Sequence, residues 1–278
     1  MNRTMLTAVN TLGQLQKQVD LIGHNLANAE TSGFKKREAS FSDLIAQQIN
    51  NHSSVESEIG RLSPLGIRQS PGSGISQTFM STGQGSLKNT GRPLDLAFTK
   101  ENQYFKVLVQ EGGESALRFT RNGELDIVQA GGQWLLATKD GHPVLDANDQ
   151  IIAFSDQVED IKMDRSGTME FRLASGETQV SQLGIVALFK PQFMEAQGNS
   201  LIGLPDQLDA GVNVNDIYMD LIGANRADVG LEQGALEVSN VDVGQEMAQL
   251  LTTQRSIQFQ SRSITLADQM MGLINGIR

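Results

Sequence analysis

Six apolar residues spaced seven apart, Leu236, Val243, Leu250, Ile257, Ile264 and Met271, set the tightest limit on how this chain folds. A seven-residue repeat keeps one row of side chains facing a neighbouring helix, so the spacing predicts a helix from about Gly234 to Gly276. At about 1.5 Å per residue such a rod reaches roughly 60 Å, longer than the core of one compact domain requires, and it asks for partners. The row four residues further on is polar at Asn240, Gln254, Ser261, Asp268 and Asn275 and apolar only at Met247. A second apolar row, Phe259, Leu266 and Leu273, takes over near the end. Two stripes divided by polar positions predict a helix that touches several neighbours through narrow strips.

The other end of the chain carries the same kind of signal. Met5, Ala8, Leu12, Leu15, Val19, Ile22 and Leu26 alternate three and four apart, which predicts an opening helix with its own seam. Asn28 and Gly33 are helix-stop and turn residues, after which the chain should turn onto Phe34. The run Lys35-Lys36-Arg37 reads as a solvated loop or helix end. Residues 1–37 have three more cationic than anionic side chains, and residues 228–278 have three more anionic than cationic. Exposed ion pairs contribute about 0–1 kcal/mol each, so this asymmetry can steer the two ends together while the apolar seams hold them.

Between the ends the period changes. Residues 51–78 are rich in Ser, Gly, Pro and Asn and read as an extended connector, after a second amphipathic piece from Phe41 to about Ile49. From residue 79 the period becomes two: Phe105, Val107 and Val109 alternate with Lys106, Leu108 and Gln110. Phe119, Leu125, Ile127 and Trp134-Leu135-Leu136 mark further short strands, and Asn122-Gly123, Gly131-Gly132, Asp140-Gly141 and Ser166-Gly167 read as turns. The expected fold is α+β: an antiparallel β-rich domain over 79–215 inserted between an N-terminal helical arm, 1–50, and a C-terminal helical arm, 216–278. The two arms should pair as a coiled-coil-like domain.

Catalytic chemistry finds little support. The three histidines, His24, His52 and His142, share no metal-ligand spacing. Gly83-Gln84-Gly85-Ser86-Leu87-Lys88 lacks the ending of a phosphate loop and reads as a turn, as do Asp140, Asp146, Asn148 and Asp149. No Gly-x-Ser-x-Gly elbow occurs. These absences predict a protein that is not an enzyme and holds no cofactor or metal. A formal net charge of −10 and a pI near 4.8 exclude a nucleic-acid footprint. No run of about eighteen apolar residues suggests membrane insertion, and the start is too polar for a cleaved signal peptide. Zero cysteines exclude disulfides and thiolate metal sites.

The run Asn25-Leu26-Ala27-Asn28, then Thr31 and Gly33-Phe34-Lys35, resembles the N-terminal signature of bacterial flagellar rod and hook proteins. Gly234 to Asp242, including Ser239-Asn240, followed by Glu246-Met247, Gln254-Arg255 and Ala267-Asp268, is similar to the C-terminus of the same family. Thr90-Gly91, Leu94-Asp95-Leu96-Ala97 and Phe119-Thr120-Arg121-Asn122-Gly123 resemble β-domain motifs of its distal-rod subgroup. The resemblance covers nearly the whole chain. It implies paired terminal helices, a β-rich outer domain and a homo-oligomeric helical polymer in the basal body, in contact with other rod and hook proteins. It also implies export by the flagellar type III apparatus without a cleaved signal.

Under that resemblance, Leu12, Leu15, Val19, Ile22, Leu26, Leu236, Val243, Leu250, Ile257, Ile264 and Met271 are the expected subunit-packing residues. Both arms should be mobile in the monomer and order on assembly. Gln254-Arg255-Ser256-Ile257, with Phe259 and Gln260, departs from the usual family pattern. That departure points to a paralogue of the rod-hook region, Gram-positive homologues included. A hook or hook-junction subunit is the second reading, and a secreted binding module or adhesin is the reading from another class.

Overall fold

The computed structural model describes residues 2–43, 47–49, 67–69, 73–111, 114–198, 200–205 and 213–277. Helix α1 spans Asn2–Ala27, a short α2 spans Val214–Ile217, and α3 spans Val243–Gly276. The chain divides into two compact units: residues 1–26, 37–79 and 243–278 form one, and residues 27–36 and 80–242 form the other.

In the first unit, α1 buries Ala8 and Ile22 and leaves Leu12, Leu15, Val19 and Leu26 half-buried, so its predicted stripe is its least exposed face. Helix α3 begins nine residues later than the heptad spacing places it. Residues Ala235–Glu237 are a strand paired with Leu87–Asn89, so Leu236 belongs to a sheet despite sitting on the seven-residue grid. Asp242 with Gln245 three residues on supplies a helix-start pattern there.

The companion row of α3 also differs from expectation. Glu246, Thr253 and Ala267 are buried, and Leu250, Ile257, Gln260, Ile264 and Met271 are half-buried. The stripe therefore runs through residues three, not four, beyond each heptad position. Gln254, Ser261 and Asp268 face solvent. Glu246, Thr253 and Gln260 are polar, so hydrophobicity alone could not select this row.

The N-terminal helical arm is shorter than 1–50. After α1 the chain forms strands Arg37–Asp43, paired with Ser73–Met80, and Gln47–Ile49, paired with Ile67–Gln69. Much of the expected connector, residues 51–66 and 70–72 with His52, lies outside the described residues.

The second unit is β-rich through residue 242. Its six-stranded sheet is ordered Glu195–Gln197, Leu201–Gly203, Glu114–Thr120, Gln103–Glu111, Ile185–Leu188, Tyr218–Asp220. Two three-stranded sheets accompany it, one from Leu125–Ala130, Gln133–Thr138 and Ala153–Phe154, the other from Val158–Met163, Thr168–Leu173 and Thr178–Gln182. Phe98, Phe105, Val107, Leu136, Phe154 and Phe171 lie in the larger core, and Tyr104, Phe119, Val186, Leu188 and Ile202 form a smaller one. Because strand Gln103–Glu111 contributes to both, its alternation is not the polar-out pattern of a half-exposed strand. Lys106 is 2% exposed, its ammonium 2.7 Å from Asp149 and 2.5 Å from Asp220.

Most predicted turns appear where the sequence puts them. Gly131 and Gly132, both at positive φ, join the Leu125–Ala130 and Gln133–Thr138 strands, and Ser166-Gly167 closes the next hairpin. Asp146 Oδ1 accepts the backbone N–H groups of Asn148 and Gln150, which is turn chemistry. Asn122-Gly123 is not a hairpin turn: the strands on either side belong to different sheets, and the chain there passes over the carbonyl of Leu96.

Candidate functional site

Asn25 organises the first unit locally. Its Oδ1 accepts the N–H of Arg37 at 3.0 Å while its Nδ2 donates to the carbonyl of the same residue at 2.9 Å. The side-chain amide thus imitates a strand neighbour and fixes the start of the extended segment after the turn. Nδ2 also lies 3.3 Å from Oε2 of Glu246, joining α1 to the first turn of α3 across 221 residues of sequence. Both side chains are buried, at 1% and 3% exposure. A carboxylate there also meets the positive end of the α3 dipole.

In the second unit the two motif blocks meet. Asn28 accepts the N–H of Thr31 on its carbonyl, and Thr31 Oγ1 donates to Asn28 Oδ1, forming the turn that delivers Gly33 and Phe34 to the interior. Gly33 has φ of 71° and donates its N–H to the carbonyl of Glu237 at 2.8 Å. Three residues on, the N–H of Lys36 donates to Oδ1 of Asn240 at 2.7 Å, so segments 33–36 and 237–240 run parallel. Asn240 Nδ2 donates to the carbonyls of Ser81 and Gly83, and Ser81 N–H donates to the carbonyl of Lys36. One side-chain amide thereby ties together three separate passages of the chain. Ser239, buried beside it, accepts the N–H of Val241 on Oγ.

Beneath these bonds lies a buried cluster of charges. Glu237 is 2% exposed; its Oε1 accepts from Lys35 Nζ at 2.6 Å and from the N–H of Gly85 at 2.9 Å, and its Oε2 accepts from Arg121 Nε. Lys35 Nζ also donates to the carbonyl of Gly83, and Arg121 donates to the carbonyls of Gln103 and Lys100. The Arg121 guanidinium lies 5.5 Å from the centre of the Phe98 ring and 5.8 Å from that of Tyr104. Burial, then the nearby Arg121 charge, lowers the Lys35 pKa against the pull of Glu237. Burial pushes the Tyr104 phenol up to about 12. With every charged group hydrogen-bonded, the cluster is held in one geometry.

The basic run reads from sequence as solvated, which the structure overturns for Lys35: it is 6% exposed and its partner stands 202 residues away. Sequence alone presents Lys35, Arg121 and Glu237 only as parts of motifs, and Gly83 and Gly85 only as a turn. Gly85 packs so tightly on the carbonyl of Val238 that no Cβ fits. Among the expected packing residues, Val243 is 46% exposed and Leu250, Ile257, Ile264 and Met271 are half-buried. Gln254 and Arg255 stand exposed on α3.

A polar-walled hollow of about 630 Å3 in the second unit is lined by Glu30, Thr31, Glu124, Lys139, His142 and Ser200, among others. Lys139 and Glu124 are paired in its wall at 3.0 Å. Among the described residues, no group of three or more His, Cys, Asp and Glu side chains could hold a metal ion, and no helix is long and apolar enough to cross a membrane.

The fold is that of a chain with helical ends and an inserted β-rich body. Residues 5–35 match the family described as flagella basal body rod protein, and residues 232–277 match the flagellar basal body rod FlgEFG protein C-terminal family. Over their full lengths, the chain is 38% identical to the flagellar hook-basal body complex protein FlhP of Bacillus subtilis. It is 29% identical to the flagellar basal-body rod protein FlgG of the same organism, covering 98% of this chain and 97% of the relative. FlgG of Caulobacter vibrioides is 28% identical, with 99% of each covered. The chain belongs to the bacterial flagellar basal-body rod and hook protein family.

Proposed function

We propose that this chain is a structural subunit of the flagellar basal-body rod, placed in its distal or rod-hook region. It polymerises through α1 and α3 into a tube that transmits torque and conducts exported subunits. Family membership supports the structural role in the basal body, and full-length similarity to FlhP and FlgG supports the region. The subunit reaches that location through the flagellar type III apparatus. A hook-junction position is the second reading, favoured by the hook-basal body name of the FlhP relative.

One observation carries the polymer: α3 presents two apolar faces. Phe259, Leu266 and Leu273 each follow a half-buried heptad residue by two positions, about 200° around the helix axis. They are 67%, 59% and 69% exposed, and Met270 extends the same face at 50%. A contiguous apolar strip left to solvent on a single chain marks a surface that another copy covers. The expected packing residues of the opposite stripe, Leu250, Ile257, Ile264 and Met271, together with Leu12, Leu15, Val19, Ile22 and Leu26 of α1, then form the coiled-coil-like seam of each subunit. Both arms complete their order in the polymer.

The reading is tested by tagging the chain in its own organism and locating the label in isolated basal bodies by electron microscopy. Label on the distal rod or at the rod-hook junction is expected. Basal bodies without label would overturn the assignment.

A further inference from the structure

The three-passage junction has a property that its contribution to folding does not explain. A buried charge cluster is a poor source of equilibrium stability, because removing the charges from water costs about as much as their attraction returns. Well-packed apolar side chains would serve folding at least as well. Yet Lys35, Arg121 and Glu237 lie at 3%, 1% and 1% side-chain exposure, directly where segments 33–36 and 237–240 run side by side. Each segment then leads to a point where the chain leaves the β-rich unit, after Lys36 and after Asp242.

Direction matters here. Tension on α3 enters the β-rich unit through Asp242, the covalent exit point, and acts first on residues 237–240 from their C-terminal end. The Glu237 carbonyl bond to Gly33, the Asn240 bonds to Lys36, Ser81 and Gly83, and the Glu237 carboxylate bonds are then loaded together. A hydrogen bond formed at about 2.9 Å is broken once its atoms part by about 1 Å and its angle opens, whereas apolar burial fades over the length of a side chain. Force is the slope of energy with distance. For the same free energy, short polar contacts loaded in parallel resist more force.

We propose that Asn240 with the buried Lys35–Glu237–Arg121 cluster is a mechanical clamp that carries load from the helical ends into the β-rich unit. Its purpose rests on the rod reading, in which the subunit bears torque, but its test needs only the purified full-length chain. The chain has no cysteine, so Ala248→Cys and Glu177→Cys, both at exposed positions, give unique handles for an optical trap. The neutral variant Lys35→Met/Arg121→Met/Glu237→Gln keeps an acceptor for Gly85. Its thermal midpoint should stay near the parent's while its unfolding force falls about twofold. Phe154→Leu, in the apolar core, is the control and should lower the midpoint with a smaller loss of force.

Parental force in the neutral variant would overturn the clamp. So would a loss of force no greater than Phe154→Leu shows for the same drop in midpoint. If the triple variant fails to fold, Asn240→Ala is read by the same comparison. Basal bodies without label would remove the rod reading and leave the pulling result standing, so the two failures are distinguishable.

Discussion

Replacing Gly33 by alanine probes the junction through a single methyl group. Gly33 sits at φ of 71°, where an L side chain costs about 1–2 kcal/mol. A Cβ placed there would lie 2.5 Å from the carbonyl carbon of Arg121 and from the nitrogen of Asn122, and 2.6 Å from the Arg121 oxygen. All three are backbone atoms of a buried segment, so relief requires one main chain to move, at about 1–3 kcal/mol. The 2.8 Å bond from Gly33 N–H to Glu237 would stretch in the process, at about 1 kcal/mol. The sum is about 3–6 kcal/mol, a large share of the roughly 5–15 kcal/mol typical of a folded domain. Gly131→Ala is the matched control, because Gly131 has φ of 60° and a Cβ added there would meet no atom within 4 Å. Urea titration of both variants should give about 1–2 kcal/mol for Gly131→Ala and at least about twice that for Gly33→Ala. Equal losses would refute the close approach of Gly33 to Arg121 and Asn122.

Three further outcomes follow from the same geometry. Glu237→Gln alone should cost about 3–5 kcal/mol in denaturant melts, since it leaves Lys35 and Arg121 buried without a counter-charge; a loss below about 1 kcal/mol would contradict the cluster. Between pH 10 and about 12 the unfolded chain loses the Tyr104 proton while the folded chain keeps it, so stability should fall as pH rises through that window. Tyr104→Phe should remove up to about 2–3 kcal/mol of that decline, and an unchanged pH profile would count against the burial of the phenol. Phe259→Asp with Leu273→Asp should change monomer stability by no more than about 0.5 kcal/mol each yet abolish motility, whereas Ile22→Asp, at 1% exposure, should cost several kcal/mol in the monomer itself. Normal swimming by the Phe259/Leu273 double variant would refute the second apolar face.

The parts of the fold that read well from sequence are those where one chemical signal dominates. The α1 stripe is legible because its positions are all apolar, and hairpins such as Gly131-Gly132 because two consecutive positive φ angles demand glycine. The α3 companion row is not legible, because Glu246 and Thr253 are buried and Gln260 half-buried without being hydrophobic, leaving Ala267 as its one apolar member. Leu236 misleads because a strand residue happens to fall on a heptad position. Lys35, the hidden member of the junction, looks like any surface lysine until Glu237 and Arg121 are brought beside it by pairing across 202 and 86 positions. Asn25, Asn28, Gly33 and Asn240 stand out through the family resemblance, but their tasks as strand mimic, turn former, close-approach point and three-way tie emerge only in three dimensions.

The bond between Asn25 and Glu246 also sets an order of events. A partner 221 residues downstream leaves the ribosome, and any narrow export channel entered N-terminus first, long after Asn25 has emerged. Until then Asn25 can hold Arg37 but has nothing to grip in the last helix. A polypeptide that ends before Glu246 therefore leaves the buried Asn25 without its partner in the last helix, so the first unit gains this link only when the far end of the chain has arrived.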